Sequence, residues 1–212
     1  MMPTASLNSQ RTLVLTPAVK AGDLVCNGVG HLRLAGILVP SGAICFLDGT
    51  QVEGNVRVDR GGTLLTAGAT IRGNIHSDRA LRIQLVGTRV LGNVTLVRSV
   101  EHVAVGDCTG PNHSLVRGAI IEGNIQLSKN YAWSGVCGAS IRGNLQASGN
   151  SGMVLVAGND IDGTLHAGQN LNALTITFNA IKGNLRCDEN VFPPRAYGNR
   201  VGGNREGECA GR

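Results

Sequence analysis

Apolar residues recur along this chain in short alternating runs, and the runs repeat at a nearly fixed distance. A β-branched aliphatic stands three residues before the second member of each Gly-Asn pair. Val52, Ile71, Val90, Ile121, Ile141, Ile161, Ile181 and Val201 precede Asn55, Asn74, Asn93, Asn124, Asn144, Thr164, Asn184 and Asn204, with Gly163-Thr164 filling the one gap. The steps between these pairs are 19, 19, 31, 20, 20, 20 and 20 residues. Another apolar residue follows the first seven pairs: Val56, Ile75, Val94, Ile125, Leu145, Leu165 and Leu185. Two positions further on, Val58, Leu96, Leu127, Ala147, Ala167 and Cys187 are apolar, with Ser77 the exception. Alternation at period two is the mark of a strand, and self-similarity at one longer period is the mark of a repeat architecture.

Two more columns share the period. Asn130, Asn150, Asn170 and Asn190 are 20 residues apart, and so are Asn159, Asn179 and Asn199. Asparagine tolerates left-handed backbone and bonds its local main chain, so each phase reads as a bend. Three bends joined by three short strands describe one coil of an all-β fold, a single-stranded parallel β-helix (β-solenoid). The period predicts about 20 residues per coil and roughly 8–9 coils. A right-handed coil is favoured, as for other parallel crossovers. Coils stack at about 4.8 Å, so equivalent asparagines can chain their amides into ladders. A single Gly-Asn pair would read as a hairpin turn, but hairpins reverse the apolar pattern and every repeat here runs the same way.

Residues 1–24 fall outside the repeat and read as an N-terminal arm or cap, with Arg11 to Thr16 able to pair as a strand. Residues 25–212 read as one solenoid domain. The 31-residue step places an insertion at about 106–116, containing Asp107, Cys108, Pro111, Asn112 and His113. Such insertions leave the stack as loops, often on the binding side.

Composition narrows the picture without changing it. Glycine supplies 31 of 212 residues, about twice the usual share of ~7%. With aromatics at 3% and charged residues at 16%, a charged helical bundle is excluded, and 42% hydrophobic residues exclude a disordered chain. No run approaches the ~18 apolar residues of a transmembrane segment.

The six cysteines, taken in order, pair at separations of 19, 29 and 22 residues: Cys26 with Cys45, Cys108 with Cys137, Cys187 with Cys209. The first separation is one coil, the second spans the inserted coil, and the third is one coil with a slight offset. Equivalent positions on adjacent coils, at about 4.8 Å, lie inside the Cα window of a disulfide. Six cysteines allow fifteen connectivities, and the solenoid register selects this one. Buried free thiols are the competing reading. No two cysteines have the short spacing of a metal site. Disulfides point to an oxidising compartment, outside the cell or on its surface. The chain opens Met1-Met2-Pro3 with no signal peptide visible, so export is expected either after loss of a leader or by another route.

The V/I-x-G-N-V/I-x-V pattern, with Leu38-Val39-Pro40-Ser41-Gly42-Ala43 leading to Cys45 and Leu47-Asp48-Gly49-Thr50, resembles a group of small uncharacterised secreted bacterial proteins. The run from Val201-Gly202-Gly203-Asn204 to Cys209 is similar to their C-terminal end. The likeness covers about residues 24 to 212, implies secretion and a β-helical fold, and carries no catalytic motif. A weaker likeness is to bactofilins, whose glycine-punctuated β-helical repeats polymerise end to end.

Candidate chemistry is sparse. Asp59 and Asp78 share a phase on adjacent coils, with Arg60 and Arg79 at the next, which reads either as a small acid–base pair or as a solvated Asp-Arg ladder. Asp160 and Asp162 flank Ile161 beside a bend. His31, His76, His102, His113 and His166 are widely separated and lack metal-ligand spacing, so neither a metal nor a cofactor is expected. The net charge is +5. Arg72, Arg142 and Lys182 form an outward column interrupted by Glu53, Glu122 and Asp162, able to attract an anionic cell-surface glycan without specificity. Sequence-specific nucleic-acid binding is not expected, because no stacking aromatic array accompanies the basic residues. Tyr131 and Trp133 are the aromatic pair able to form a sugar platform. The function expected is that of a non-enzymatic, secreted or surface-associated structural protein that associates with itself through its ends. The C-terminal end is the expected contact, because only Arg205 to Arg212 follow its Gly-Asn pair. The alternative is a carbohydrate-active β-helix that binds or cleaves an anionic polysaccharide near the insertion.

Overall fold

The period-two runs form strands, and the strands wind into a three-sided parallel stack. The computed structural model describes residues 23–26, 28–30, 33–108 and 118–211. Most of the expected arm, the Arg11 to Thr16 strand, His31, and Pro111, Asn112 and His113 of the insertion lie outside the described residues. Asp23 and Leu24, read from sequence as the end of the arm, belong to the first strand and pair with Gly36 and Ile37.

Three sheets make the three faces. Among the described residues, to which these counts refer, the first holds ten strands, from Asp23–Val25 to Arg205–Gly207. The second holds nine, from Gly28–Gly30 to Arg195–Tyr197, and the third holds nine two-residue strands, from Arg33–Leu34 to Arg200–Val201. Each strand pairs with its counterpart one coil away, always in parallel, so all-β solenoid architecture follows directly from the repeat.

Register is set by burial. In the first sheet Val56, Ile75, Val94, Ile125, Leu145, Leu165 and Leu185 lie one above another and are buried. In the third, Val52, Ile71, Val90, Ile121, Ile141, Ile161 and Ile181 do the same. A one-residue slip would turn each of these columns to solvent, so the aliphatic stripe fixes the stacking. The core is aliphatic throughout, which is why a chain with so few aromatics can close it. Ser77 interrupts the Val58–Leu96 column, and among the described residues its buried hydroxyl has no hydrogen-bond partner.

The bends carry the asparagines. In the exposed ladder the Asn55 carbonyl accepts the main-chain N–H of Asn74 at 2.8 Å and its side-chain N–H at 3.1 Å. The same bonds link Asn74 to Asn93, Asn93 to Asn124, and Asn124 to Asn144. Thr164 continues the chain to Asn184, whose carbonyl accepts from Asn204. The other two ladders are largely buried and run in the opposite sense. Asn150 accepts from Asn130, Asn170 from Asn150, and Asn190 from Asn170, while Asn179 accepts from Asn159 and Asn199 from Asn179. Each buried amide also donates to a carbonyl of the preceding coil, such as Leu127 for Asn150 and Val136 for Asn159. Buried amides are thereby satisfied at both ends, which is the condition for burying them at all.

Three disulfides clip neighbouring coils: Cys26–Cys45, Cys108–Cys137 and Cys187–Cys209, with Cα separations of 5.4, 5.1 and 5.3 Å. The C-terminal end is closed by more than a disulfide. Arg205 stands where earlier coils carry Leu185 and Leu165, and its guanidinium donates to the Asn199 carbonyl at 2.7 Å. Glu208 ends the Asn130–Asn190 ladder, accepting the Asn190 main-chain N–H at 2.9 Å and its side-chain N–H at 2.7 Å. Cys209 is fully buried over the last of the core.

Candidate functional site: a basic corner groove

The corner between the first and second sheets turns within a few residues after the inward column Val58, Ser77, Leu96, Leu127. The chain then buries Ala80, Ser99 or Asn130 at the start of the next side. The position between them is an outward column, and strand register reads it off as Ser41, Arg60, Arg79, Arg98, Lys129, Gly149, Gln169 and Glu189. Four successive coils therefore place a cation at one corner. Arg79, Arg98 and Lys129 have φ of 60°, 55° and 56°, in the left-handed region that favours glycine. Gly149 is the residue that suits the same bend without strain.

Two hollows lie along this column and are together termed the corner groove. The first, about 590 Å³, is lined by Arg57, Asp59, Arg60, His76, Asp78 and Arg79. The second, about 410 Å³, is lined by Arg98, Gln126, Ser128, Lys129, Ser148 and Gln169. The walls are chiefly cations, two carboxylates, amides and hydroxyls.

The two carboxylates of the groove are held by arginines. Asp59 accepts from Arg57 Nε at 2.9 Å. Asp78 takes both Arg98 Nε at 2.7 Å and Nη2 at 2.8 Å, with Arg79 at 3.5 Å. The Arg98 hydrogen bonds hold the Asp78 carboxyl below the usual aspartate range against a smaller opposing effect of burial, and the same bonds raise Arg98. Asp78 is thus a fixed anion. Among the described residues, Arg60 and Lys129 have no ion-pair partner.

The basic column expected from sequence is a different and neutral surface. Arg72 pairs with Glu53 at 2.9 Å, Arg142 and Arg89 with Glu122 at 2.5 and 2.7 Å, and Lys182 with Asp162 at 2.6 Å. The Asp162 hydrogen bond raises the Lys182 pKa. Asp160 and Asp162 both face outward, as expected beside Ile161.

Tyr131 and Trp133 occupy the coil after the insertion. Trp133 stacks on His102, centroids 4.5 Å apart and planes at 16°, so that face of the indole is covered. Its ring also crosses Gly135 beside the Cys108 sulfur, a place no Cβ could share. Burial, with Arg82 adding a smaller effect, lowers the His102 pKa. Tyr131 is exposed.

Among the described residues, no group of three or more His, Cys, Asp or Glu side chains could hold a metal ion. Among the described residues no helix is long and apolar enough to cross a membrane, and the three disulfides are compatible with an extracellular location. A scan against protein-family models and searches of curated proteins and of solved structures found no match to this chain.

Proposed function

We propose that this protein is a non-catalytic structural rod that works outside the cell. The observation that carries the reading is the placement of its disulfides, at the first described coils, beside the insertion, and at the last coil. A solenoid contacts only its own neighbours and frays from exposed coils, so covalent clips at the first and last described coils oppose unravelling there. Each closed loop contributes about 3 kcal/mol by the chain-entropy account. The absence of catalysis rests on the Asp59–Asp78 pair. Arginines hold both groups, and Asp78 is shifted away from the raised value a general acid needs.

Self-association belongs to the same proposal. The strands Arg195–Tyr197, Arg200–Val201 and Arg205–Gly207 each end their sheet, leaving one edge without a strand partner among the described residues. The core beneath them is closed by Arg205, Glu208 and Cys209. That arrangement favours joining by strand edges over contact between open cores.

Thermal unfolding and limited proteolysis, each with and without reductant, test the reading. The oxidised rod is expected to resist protease, and the reduced one to be trimmed from its ends. Unfolding indifferent to reductant, or six alkylatable thiols in protein from its native compartment, would overturn it. Sedimentation over a range of concentrations tests the association, and a monomer throughout would remove it.

A further inference from the structure

We propose that the basic corner groove binds an extended acidic polysaccharide, a polyuronate, lying along the stack. The proposal adds a ligand to the rod and stands apart from its structural role. Arg60, Arg79, Arg98 and Lys129 are consecutive members of one column, so the cations repeat at the coil spacing of about 4.8 Å. A chain of uronic acids carries one carboxylate per pyranose ring, and successive rings are rotated about the chain axis, so its carboxylates face one side only at intervals. A linear ligand lying along the stack therefore meets spaced members of the column, such as Arg60 and Lys129, rather than each cation in turn.

The rest of the groove fits the same chemistry. Sugar hydroxyls need neutral donors and acceptors, and Gln126, Ser128, Ser148 and Gln169 line the groove beside Arg98 and Lys129. Arg60 and Lys129, the two ends of the cationic run, have no carboxylate partner among the described residues. Among the described residues the groove lining contains no Phe, Tyr or Trp, and His76 is its one aromatic ring. Single-stranded nucleic acid is held largely by stacking on aromatic side chains, so it is the poorer fit. At the C-terminal end the same column turns to Gln169 and Glu189, which bond each other at 2.8 Å. The binding register is thus confined to the coils from Arg60 to Lys129.

Backbone conformation gives the test its sharpness. Arg79 and Lys129 sit in left-handed conformations where glycine is easier, so replacing them with glycine removes charge without straining the bend. The variant Arg60→Ser, Arg79→Gly, Lys129→Gly keeps Arg98 on Asp78. Binding of sodium polygalacturonate, neutral dextran and a single-stranded oligonucleotide would be measured by calorimetry at two salt concentrations. The expected result is salt-sensitive binding of polygalacturonate alone, weakened at least about tenfold in the variant, with a melting temperature equal to or above that of the parent. No polygalacturonate binding by the parent, or equal binding by parent and variant, overturns the proposal. So does oligonucleotide binding as tight as that of the polyuronate. None of these outcomes bears on the rod, which is tested by reductant and protease.

Discussion

The coils before the insertion and those after it build the same bends with different chemistry. At the start of the second side the N-terminal coils carry Gly42, Gly61, Ala80 and Ser99, and the C-terminal coils Asn130, Asn150, Asn170 and Asn190. At the start of the third side the series is Thr50, Ala69, Thr88, then Ala119 and Ala139, then Asn159, Asn179 and Asn199. All the threonines, alanines and asparagines of these two columns except Asn190 are buried. Small residues fill a bend by volume alone, while stacked amides fill it and also bond coil to coil. The C-terminal half is thus held by buried amide ladders at these bends, where the N-terminal half has the Thr66–Thr88 hydroxyl bond and, at the third bend, the exposed Asn55–Asn124 ladder. The N-terminal half in turn carries three of the four cations of the corner, Arg60, Arg79 and Arg98. Left-handed bends at non-glycine residues occur in both halves, at Arg79 and Arg98 before the insertion and at Lys129, Gln169, Phe178 and Glu189 after it, so strain does not separate them.

Substitutions at matched bends press on this difference most heavily. Asn150→Ala orphans the Asn130 main-chain N–H in a buried place and takes from the Leu127 carbonyl its side-chain donor. A loss of about 2–4 kcal/mol is expected from denaturant unfolding. Thr88→Ala, at a bend of the N-terminal half, removes one hydroxyl bonded to Thr66 at 2.5 Å and to the Val86 carbonyl. Because Thr66 keeps the Gln84 carbonyl as a partner, the expected loss is about 1 kcal/mol. In the exposed ladder Asn124→Ala should lose less than about 1 kcal/mol, since water can replace the amide, and Gln146→Ala should be near neutral. Equal losses at Asn150 and Asn124 would break the argument that burial makes a ladder stabilising.

Smaller effects lie at single sites near the corner. Lys129→Gly, in the first coil after the insertion, relieves a left-handed bend and should raise stability by about 1 kcal/mol. A loss of that size would mean the lysine stem packs usefully on the corner. Ser77→Ala removes a buried hydroxyl without a partner and should gain about 0.5 kcal/mol, read from the unfolding midpoint. A clear loss would show that the hydroxyl is in fact bonded.

The periodic part of this design is plain in the sequence, because burial demands it. The inward columns, the three asparagine phases and the three disulfides all follow from one repeat length. The basic corner is hidden for a physical reason. An exposed bend tolerates any polar residue, so Ser41, Gly149, Gln169 and Glu189 share the column with its four cations and leave no consensus. The 31-residue step then separates Arg98 from Lys129, and each Asp-Arg dipeptide reads as a self-contained pair. Counting from Asn93 to Asn124 across the insertion would have aligned them. Arg205 in a leucine column and Glu208 as a ladder cap are equally invisible, being single departures from the repeat at its end. The Trp133–His102 stack joins two coils across the insertion, where spacing gives no guide.

Acid should sharpen the comparison, with the smallest effect. Among the described residues, both ionisable groups that the fold shifts toward acid lie before the insertion. His102, lowered from 6.5 by burial, contributes stability that begins to fall as pH drops through that ordinary value. Asp78, lowered from 3.8 by Arg98, contributes stability present above 3.8 and lost as pH falls further, toward its folded value. Because the pair is partly solvated, the change is modest. Unfolding midpoints between pH 7 and pH 3 should therefore decline in two stages. His102→Gln should remove the first stage and leave the second, and a single-stage decline in the parent would contradict these assignments.

Hydrogen exchange of the oxidised, unliganded protein, resolved along the chain, tests the division between the halves most directly. The account predicts that amides at the buried bends of the C-terminal coils, those of Asn130, Asn150, Asn159, Asn170 and Asn179, exchange only when the whole stack opens. Those at the bends of Ala69, Ala80 and Thr88 should exchange faster, through local opening of lower free energy. Uniform protection along the stack, or slower exchange in the N-terminal coils, would contradict it.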